Sequence, residues 1–237
     1  PHPELMCAKT LSEDCLYVNV YSPNVTVGAN LPVIFFIHGG EYTSGAGGVP
    51  VYDGTQMAKT QNVVVVTINY RLNVFGALYT GDVINGNFQT KDQREALRWV
   101  QRNVAAFGGD KNKVTLTGQS AGAFSVATHL ASPLSSGLFA KAIIVSDPIS
   151  LPAATKAGAK YLGDEVVKKL GCSVDNQTAQ TECLRAADAN TILHLQNQSF
   201  LPLPDSFLAI PMRWQPVVTG DDELPLSPIA ALTSGKY

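Results

Sequence analysis

Apolar residues in the first third of the chain fall into short runs rather than helical stripes. Leu16, Val18 and Val20 alternate with Tyr17, Asn19 and Tyr21, a period of two that predicts a strand half buried against a core. Ser22 to Pro32 is a turn-rich connection. Val33 to Ile37 and Val63 to Ile68 are continuous runs dominated by β-branched and aromatic residues, the composition of central parallel strands covered on both faces. The period then changes. From Lys91 to Phe107 the residues Ala96, Val100, Val104 and Phe107 recur at helical spacing, and Gly108-Gly109-Asp110 supplies a stop. Val114 to Thr117 reads as a short strand, Gly118 to Gly122 as a sharp turn, Ala123 to Ala131 as a helix and Ala142 to Ser146 as a further strand. Thr155 to Leu170, with Leu162, Val166 and Leu170 on one face, and Asp188 to Gln196, capped by Asp188, are helices. This alternation predicts an α/β fold around a mostly parallel sheet.

Composition narrows the picture. The 237 residues are 45% hydrophobic and 15% charged, enough apolar material for one large core, so 1–237 is read as a single α/β domain. The net charge is −2 and no block of like charges occurs, which argues against nucleic acid or an anionic membrane surface as a partner. The longest apolar run, Val33 to Ile37, falls far short of the roughly 20 residues a membrane-spanning helix needs. Four cysteines form two local pairs, Cys7 with Cys15 and Cys172 with Cys183, which suits disulfides in an oxidising compartment or buried thiols in a reducing one. Three glycan acceptor triplets begin at Asn24, Asn176 and Asn197. One of them lies inside the interval from Cys172 to Cys183, and together the two signals favour a secreted or endomembrane protein.

The chemistry concentrates at Gly118-Gln119-Ser120-Ala121-Gly122. Gly-x-Ser-x-Gly gains meaning here because it joins a buried strand to a helix, the setting in which a strained elbow lifts a serine hydroxyl above the end of a sheet. Gly118 and Gly122 relieve crowding in so tight a turn, and the helix behind Ser120 aims its first amides at the reacting centre. A serine nucleophile needs a base for its proton and preorganised donors for the oxyanion. The amide of Ala121 is one such donor. The others are expected in the Gly-rich stretch His38-Gly39-Gly40 through Gly48 that follows an earlier strand, with Gly40 and Glu41 as candidates. No metal or organic cofactor is required by this chemistry.

Several motifs in one order carry a resemblance. LSEDCLYVNV at 11–20, His38-Gly39-Gly40, Asn69-Tyr70-Arg71-Leu72, WVQRNVAAFGGD at 99–110 and VTLTGQSAGA at 114–123 together resemble the type-B carboxylesterase/cholinesterase family. The likeness spans almost the whole chain and implies an α/β-hydrolase fold, a mostly parallel sheet with helices on both faces. It also implies Ser120 as nucleophile, Gly40, Glu41 and Ala121 at the oxyanion positions, and Gln119 and Ser146 supporting the site. A Cys172–Cys183 disulfide loop and a structural ion pair between Glu13 and Arg71 follow from it as well. Glu41 stands where the family usually has a third glycine, and its carboxylate would oppose an oxyanion unless it turns away. Gln119 stands where a glutamate is more frequent. The interval from Cys7 to Cys15 is short for the family's first disulfide loop, and no tryptophan precedes Trp99, which argues against choline esters.

The triad order on such a fold is serine, acid, histidine. After Ser120 only His129 and His194 occur. His129 falls on the helix directly behind the nucleophile and His194 in a helical pattern, while His38 reads as a loop-packing residue. The resemblance places the acid and the histidine beyond Tyr237, and a further segment before Pro1. The expectation is therefore a partial α/β-hydrolase domain whose partners are a small carboxylic ester and the remainder of the same polypeptide. A non-catalytic esterase-like protein, used for adhesion or structural assembly, is the competing reading.

Overall fold

The computed structural model describes residues 10–81, 83–173, 176–197 and 212–235. In chain order, the major elements are β1 (Val18–Tyr21), β2 (Leu31–Ile37), α1 (Thr55–Gln61), β3 (Val64–Ile68), α2 (Asn73–Ala77), α3 (Phe88–Asn103), β4 (Gly109–Gln119), α4 (Ala121–Ala131) and β5 (Lys141–Val145). They continue with β6 (Ala154–Thr155), α5 (Lys156–Lys169), α6 (Gln177–Ala186), α7 (Ala189–Asn197), β7 (Val217–Val218) and α8 (Pro228–Ser234). Five strands form one sheet in the order β1-β3-β2-β4-β5. Only β1 runs antiparallel; β2, β3, β4 and β5 pair in parallel, and β6 with β7 makes a separate parallel pair.

The register explains the core. Val33, Phe35 and Ile37 align with Val64, Val66 and Ile68 and with Val114 and Leu116 on one face of the pleat, and all of them are wholly buried. They join Leu97 and Val100 of α3 and Phe124 and Val126 of α4 in one cluster. Each large apolar side chain removed from water here contributes about 1.5–3 kcal/mol.

The opposite face differs from what the apolar runs suggested. Val65 and Thr67 of β3 are buried on it, but Ile34 and Phe36 of β2 are only half-buried, Phe36 resting on Tyr52 with ring centroids 4.8 Å apart. Further along, Ile143 and Val145 of β5 are 50% and 44% exposed. The reason is local: α1 packs over β3, whereas no described element covers this face at β5. The outer edge of β5 is likewise unpaired among the described residues.

Element ends match the sequence signals with small shifts. The pairing of β1 starts at Val18, so Leu16 and Tyr17 are exposed rather than half-buried. Helix α3 begins at Phe88, three residues before the expected start at Lys91, and passes through a 3-10 turn, Val104–Phe107, into Gly108. Asp188 caps α7, its carboxylate accepting from the Thr191 amide at 2.8 Å, and Thr155 caps α5. The segment 212–227 is tied to α3 by buried polar side chains. The Asn87 amide bonds both the carbonyl and the N–H of Val217, and Arg94 grips Glu223 through two hydrogen bonds. Among the described residues, no helix is long and apolar enough to cross a membrane.

Candidate active site

Strand β4 ends at Gln119 and helix α4 begins at Ala121, which leaves Ser120 as the single residue of the turn. Its backbone takes φ 56° and ψ −121°, a region that costs a non-glycine residue about 1–3 kcal/mol and persists only where neighbours hold it. Two backbone bonds do so: the Ser120 amide donates to the Val145 carbonyl at 3.0 Å, and the Ser120 carbonyl accepts from Phe124 at 2.9 Å. The turn is tight enough to exclude larger residues beside it. A Cβ on Gly118 would lie 2.3 Å from the Gly122 carbonyl oxygen, and one on Gly122 would lie 2.1 Å from that of Ile37. The half-buried Ser120 side chain makes no capping bond to α4, so its hydroxyl is left for other partners.

The Gly-rich loop after β2 crosses this elbow. A Cβ on Gly39 would come within 2.6 Å of the Gln119 carbonyl oxygen and 3.2 Å of the Ser120 Cβ, so only glycine permits so close an approach. The next three residues all have positive φ: Gly40 at 116°, Glu41 at 57° and Tyr42 at 61°. This turns the chain back, and the Gly40 carbonyl then accepts from the amides of Thr43 and Ser44. Among the described residues, the amides of Gly40, Glu41 and Ala121 donate to no protein acceptor. The Glu41 side chain is exposed while that of Tyr42 is wholly buried. Gly40, Glu41 and Ala121 are thus brought to the neighbourhood of Ser120 together, with Gln119 beside Gly39. Ser146 follows directly on the β5 residue that receives the Ser120 amide; its φ is 54° and its side chain is exposed.

No imidazole hydrogen-bonds Ser120 among the described residues. His38 donates from Nδ1 to the Gly39 carbonyl at 2.8 Å and stacks on Tyr70 with ring centroids 4.4 Å apart, as a loop-packing residue would. Burial lowers its pKa to about 4. His129, buried on the last turn of α4, bonds Ser135 through Nδ1 and Gln93 through Nε2, and desolvation followed by the nearby Arg94 charge lowers its pKa to about 3. Both rings are neutral at ordinary pH. His194 lies exposed on α7.

Asp147, which follows Ser146, gave no signal in the sequence. Both of its carboxylate oxygens are buried without a hydrogen-bond partner, and desolvation raises its pKa to about 6. Because the folded value lies above the ordinary one near 4, the neutral acid is favoured by folding. That contribution is complete below about pH 4 and is lost as pH rises through 6. Asp147→Asn should therefore match the parent protein in stability at pH 4 and exceed it at pH 8, by about 1 kcal/mol once screening at this half-buried site is allowed for. Urea unfolding at the two pH values reads this directly; equal differences at both would show that the carboxyl does not titrate as described.

The family model described as Carboxylesterase family matches residues 2–237. This chain belongs to the carboxylesterase family. Among curated relatives, the Crystal protein of Dictyostelium discoideum is 43% identical over 210 residues, 88% of this chain and 37% of that protein. The cholinesterase of Mus musculus is 42% identical over 215 residues, 89% of this chain and 35% of that protein. Among solved structures, the carboxylesterase EST55 of Geobacillus stearothermophilus superposes with a TM-score of 0.83 at 39% identity, covering 96% of this chain and 46% of that one. The α/β-hydrolase fold expected from the motifs is therefore the fold of this carboxylesterase-family chain. The chain spans less than half the length of these relatives.

Other expectations divide. Cys172 and Cys183 form a disulfide linking the end of α5 to α6. Cys15 is a half-buried thiol, and its expected partner Cys7 lies outside the described residues. The ion pair expected between Glu13 and Arg71 is not formed. Arg71 instead makes a fork with Asp92 on α3, Nε to Oδ2 at 2.8 Å and Nη2 to Oδ1 at 2.7 Å, a bidentate geometry that leaves Glu13 exposed. Asn24 and Asn176 are exposed, Asn24 in a local turn with Thr26 and Asn176 as the cap of α6; the Asn197 side chain lies outside the described residues.

Proposed function

We propose that this chain is the nucleophile-bearing part of a serine carboxylic-ester hydrolase. The observation that carries the reading is the strained Ser120 backbone at a strand-to-helix turn, crossed by a loop whose amides are open. In this reading Ser120 Oγ attacks the ester carbonyl carbon while a base accepts its proton. The carbonyl oxygen becomes an oxyanion held by the amides of Gly40, Glu41 and Ala121, and the positive end of α4 adds to their field. The alcohol leaves with the proton, and water then attacks the acyl-enzyme to release the acid and restore Ser120. Such a sequence calls on no metal or organic cofactor. Loss of one oxyanion donor costs about 3–4 kcal/mol in systems of this type, so the loop is as important as the serine.

The base and its supporting acid belong, on this proposal, to a further part of the same polypeptide. The exposed apolar face at Ile143 and Val145 and the unpaired edge of β5, beside the strand that carries Ser120, support a covering segment there. The competing non-catalytic reading drew its force from Glu41 and from the want of a base for Ser120. The Glu41 side chain is exposed and its amide is open, which supports a carboxylate turned to solvent and weakens the first of these grounds. The Cys172–Cys183 disulfide and the exposed Asn24 and Asn176 support a secreted or endomembrane protein.

Labelling the intact protein with a fluorophosphonate tests the proposal. One probe per molecule is expected, attached at Ser120 and abolished by Ser120→Ala. Inertness of the folded protein, or labelling that survives Ser120→Ala, would overturn it.

A further inference from the structure

Beneath the elbow runs a chain of buried hydrogen bonds whose proton directions follow once the Gln93 amide is oriented with Nε2 towards Ser125. Ser125, on the second turn of α4, touches three groups: the Ala121 carbonyl at 3.1 Å, the Gln93 amide nitrogen at 3.1 Å and the Tyr42 hydroxyl at 2.9 Å. A carbonyl only accepts, so the one proton of Ser125 goes to Ala121. Its two lone pairs then receive Gln93 N–H and Tyr42 O–H, which saturates the hydroxyl. The other side of the Gln93 amide, Oε1, must accept from His129 Nε2, so His129 Nδ1 is bare and accepts from Ser135. The Ser135 oxygen in turn accepts from Arg94 Nε at 3.2 Å, and Arg94 is fixed by Glu223. Tyr42, Gln93, Ser125, His129 and Ser135 are all buried to 1% exposure or less.

Two peptide segments meet at Ser125. Tyr42 is the residue after Glu41, and Ala121 is the residue after Ser120. The loop is also braced within itself and by α2: the Gly40 carbonyl accepts from the Thr43 and Ser44 amides, the Tyr42 carbonyl accepts from Asn73 N–H at 2.7 Å, and the Asn73 side chain donates to the Thr43 carbonyl, but none of these bonds reaches α4. We propose that the hydroxyls of Tyr42 and Ser125 are positioning residues that clamp the Gly40–Glu41 loop to the first turn of α4, fixing the distance between the two sets of oxyanion donors. Neither hydroxyl touches the reacting atoms. Their effect is on preorganisation: donors fixed before the reaction need no rearrangement as charge develops, and small misplacements in such sites are costly.

The inference rests on the ester-hydrolase reading, so its test separates the two. In the intact protein, Tyr42→Phe removes one oxygen without changing the shape of the side chain. With p-nitrophenyl acetate, kcat is expected to fall about tenfold with KM within about twofold, the signature of an interaction realised in the transition state. Affinity for a trifluoromethyl ketone, which forms a tetrahedral oxyanion on the serine, should weaken by the same factor of about ten, the melting temperature shifting by only a few degrees. Ser125→Ala should show the same split between kcat and KM. A kcat within twofold of the parent, or a loss that follows melting temperature while ketone affinity is unchanged, overturns the positioning role. Turnover that survives Ser120→Ala would instead sink the ester-hydrolase reading itself.

Discussion

Glu223→Ala is expected to destabilise the protein by about 3–5 kcal/mol, far more than an ordinary surface ion pair would account for. The Arg94 side chain is 3% exposed and that of Glu223 13%, and the guanidinium meets the carboxylate at 2.7 and 3.0 Å. Removing the carboxylate leaves a cation in the interior with only the Ser132 and Ser135 hydroxyls around it. That is why truncating one partner costs more than the pair contributes. The double variant Arg94→Met, Glu223→Leu should recover much of the loss, because it leaves no uncompensated charge. Chemical denaturation of the three proteins at neutral pH measures both effects; a Glu223→Ala loss below about 1 kcal/mol would mean that the pair is effectively solvated.

Gly122→Ala is expected to lower ester turnover by about 100-fold or more and stability by about 1–3 kcal/mol. The added methyl would face the Ile37 and His38 carbonyl oxygens at 2.1 and 2.8 Å, which are backbone atoms and cannot swing aside. Either α4 withdraws from β2, or the peptide leading into the Gly-rich loop moves. Both separate Ala121 from Gly40 and Glu41. Gly48→Ala is the control, since its Cβ would meet nothing nearer than 3.7 Å and its effect should stay within about 0.5 kcal/mol. Parental kcat in a folded Gly122→Ala protein would show that the two segments need not be so close.

The parts of the fold that could be read from sequence were those with a strong local cause. Three adjacent strands carry alternating or continuous apolar runs, and α3, α5 and α7 have stripes, caps or stops that act within a few residues. The elbow was legible because glycine, serine and glycine at that spacing are dictated by sterics in one turn. The clamp was not. Tyr42, Gln93 and Ser125 are far apart in the chain and each has an ordinary residue identity; only the packing of α3 and the loop after β2 against α4 brings them within hydrogen-bond reach. Arg71 illustrates the same limit, since Asp92 wins over Glu13 through the fork geometry offered by α3 rather than by any pattern near Arg71. Asp147 was silent because nothing in a sequence tells whether a carboxylate after a strand points to solvent or inward. The coverage of β2 was overestimated for a related reason: an apolar run reports that side chains prefer burial, not which element supplies it.

The rim of β5, unpaired among the described residues, has a consequence for handling the protein. Residues 141–145 offer a row of main-chain donors and acceptors flanked by Ile143, Ile144 and Val145, each more than a third exposed. Such an edge is a template on which a second copy can pair. When residues 1–237 are produced by themselves, rim-to-rim association and clouding of concentrated samples follow from this geometry, and a charged side chain in place of Ile143 should suppress both without touching the serine turn.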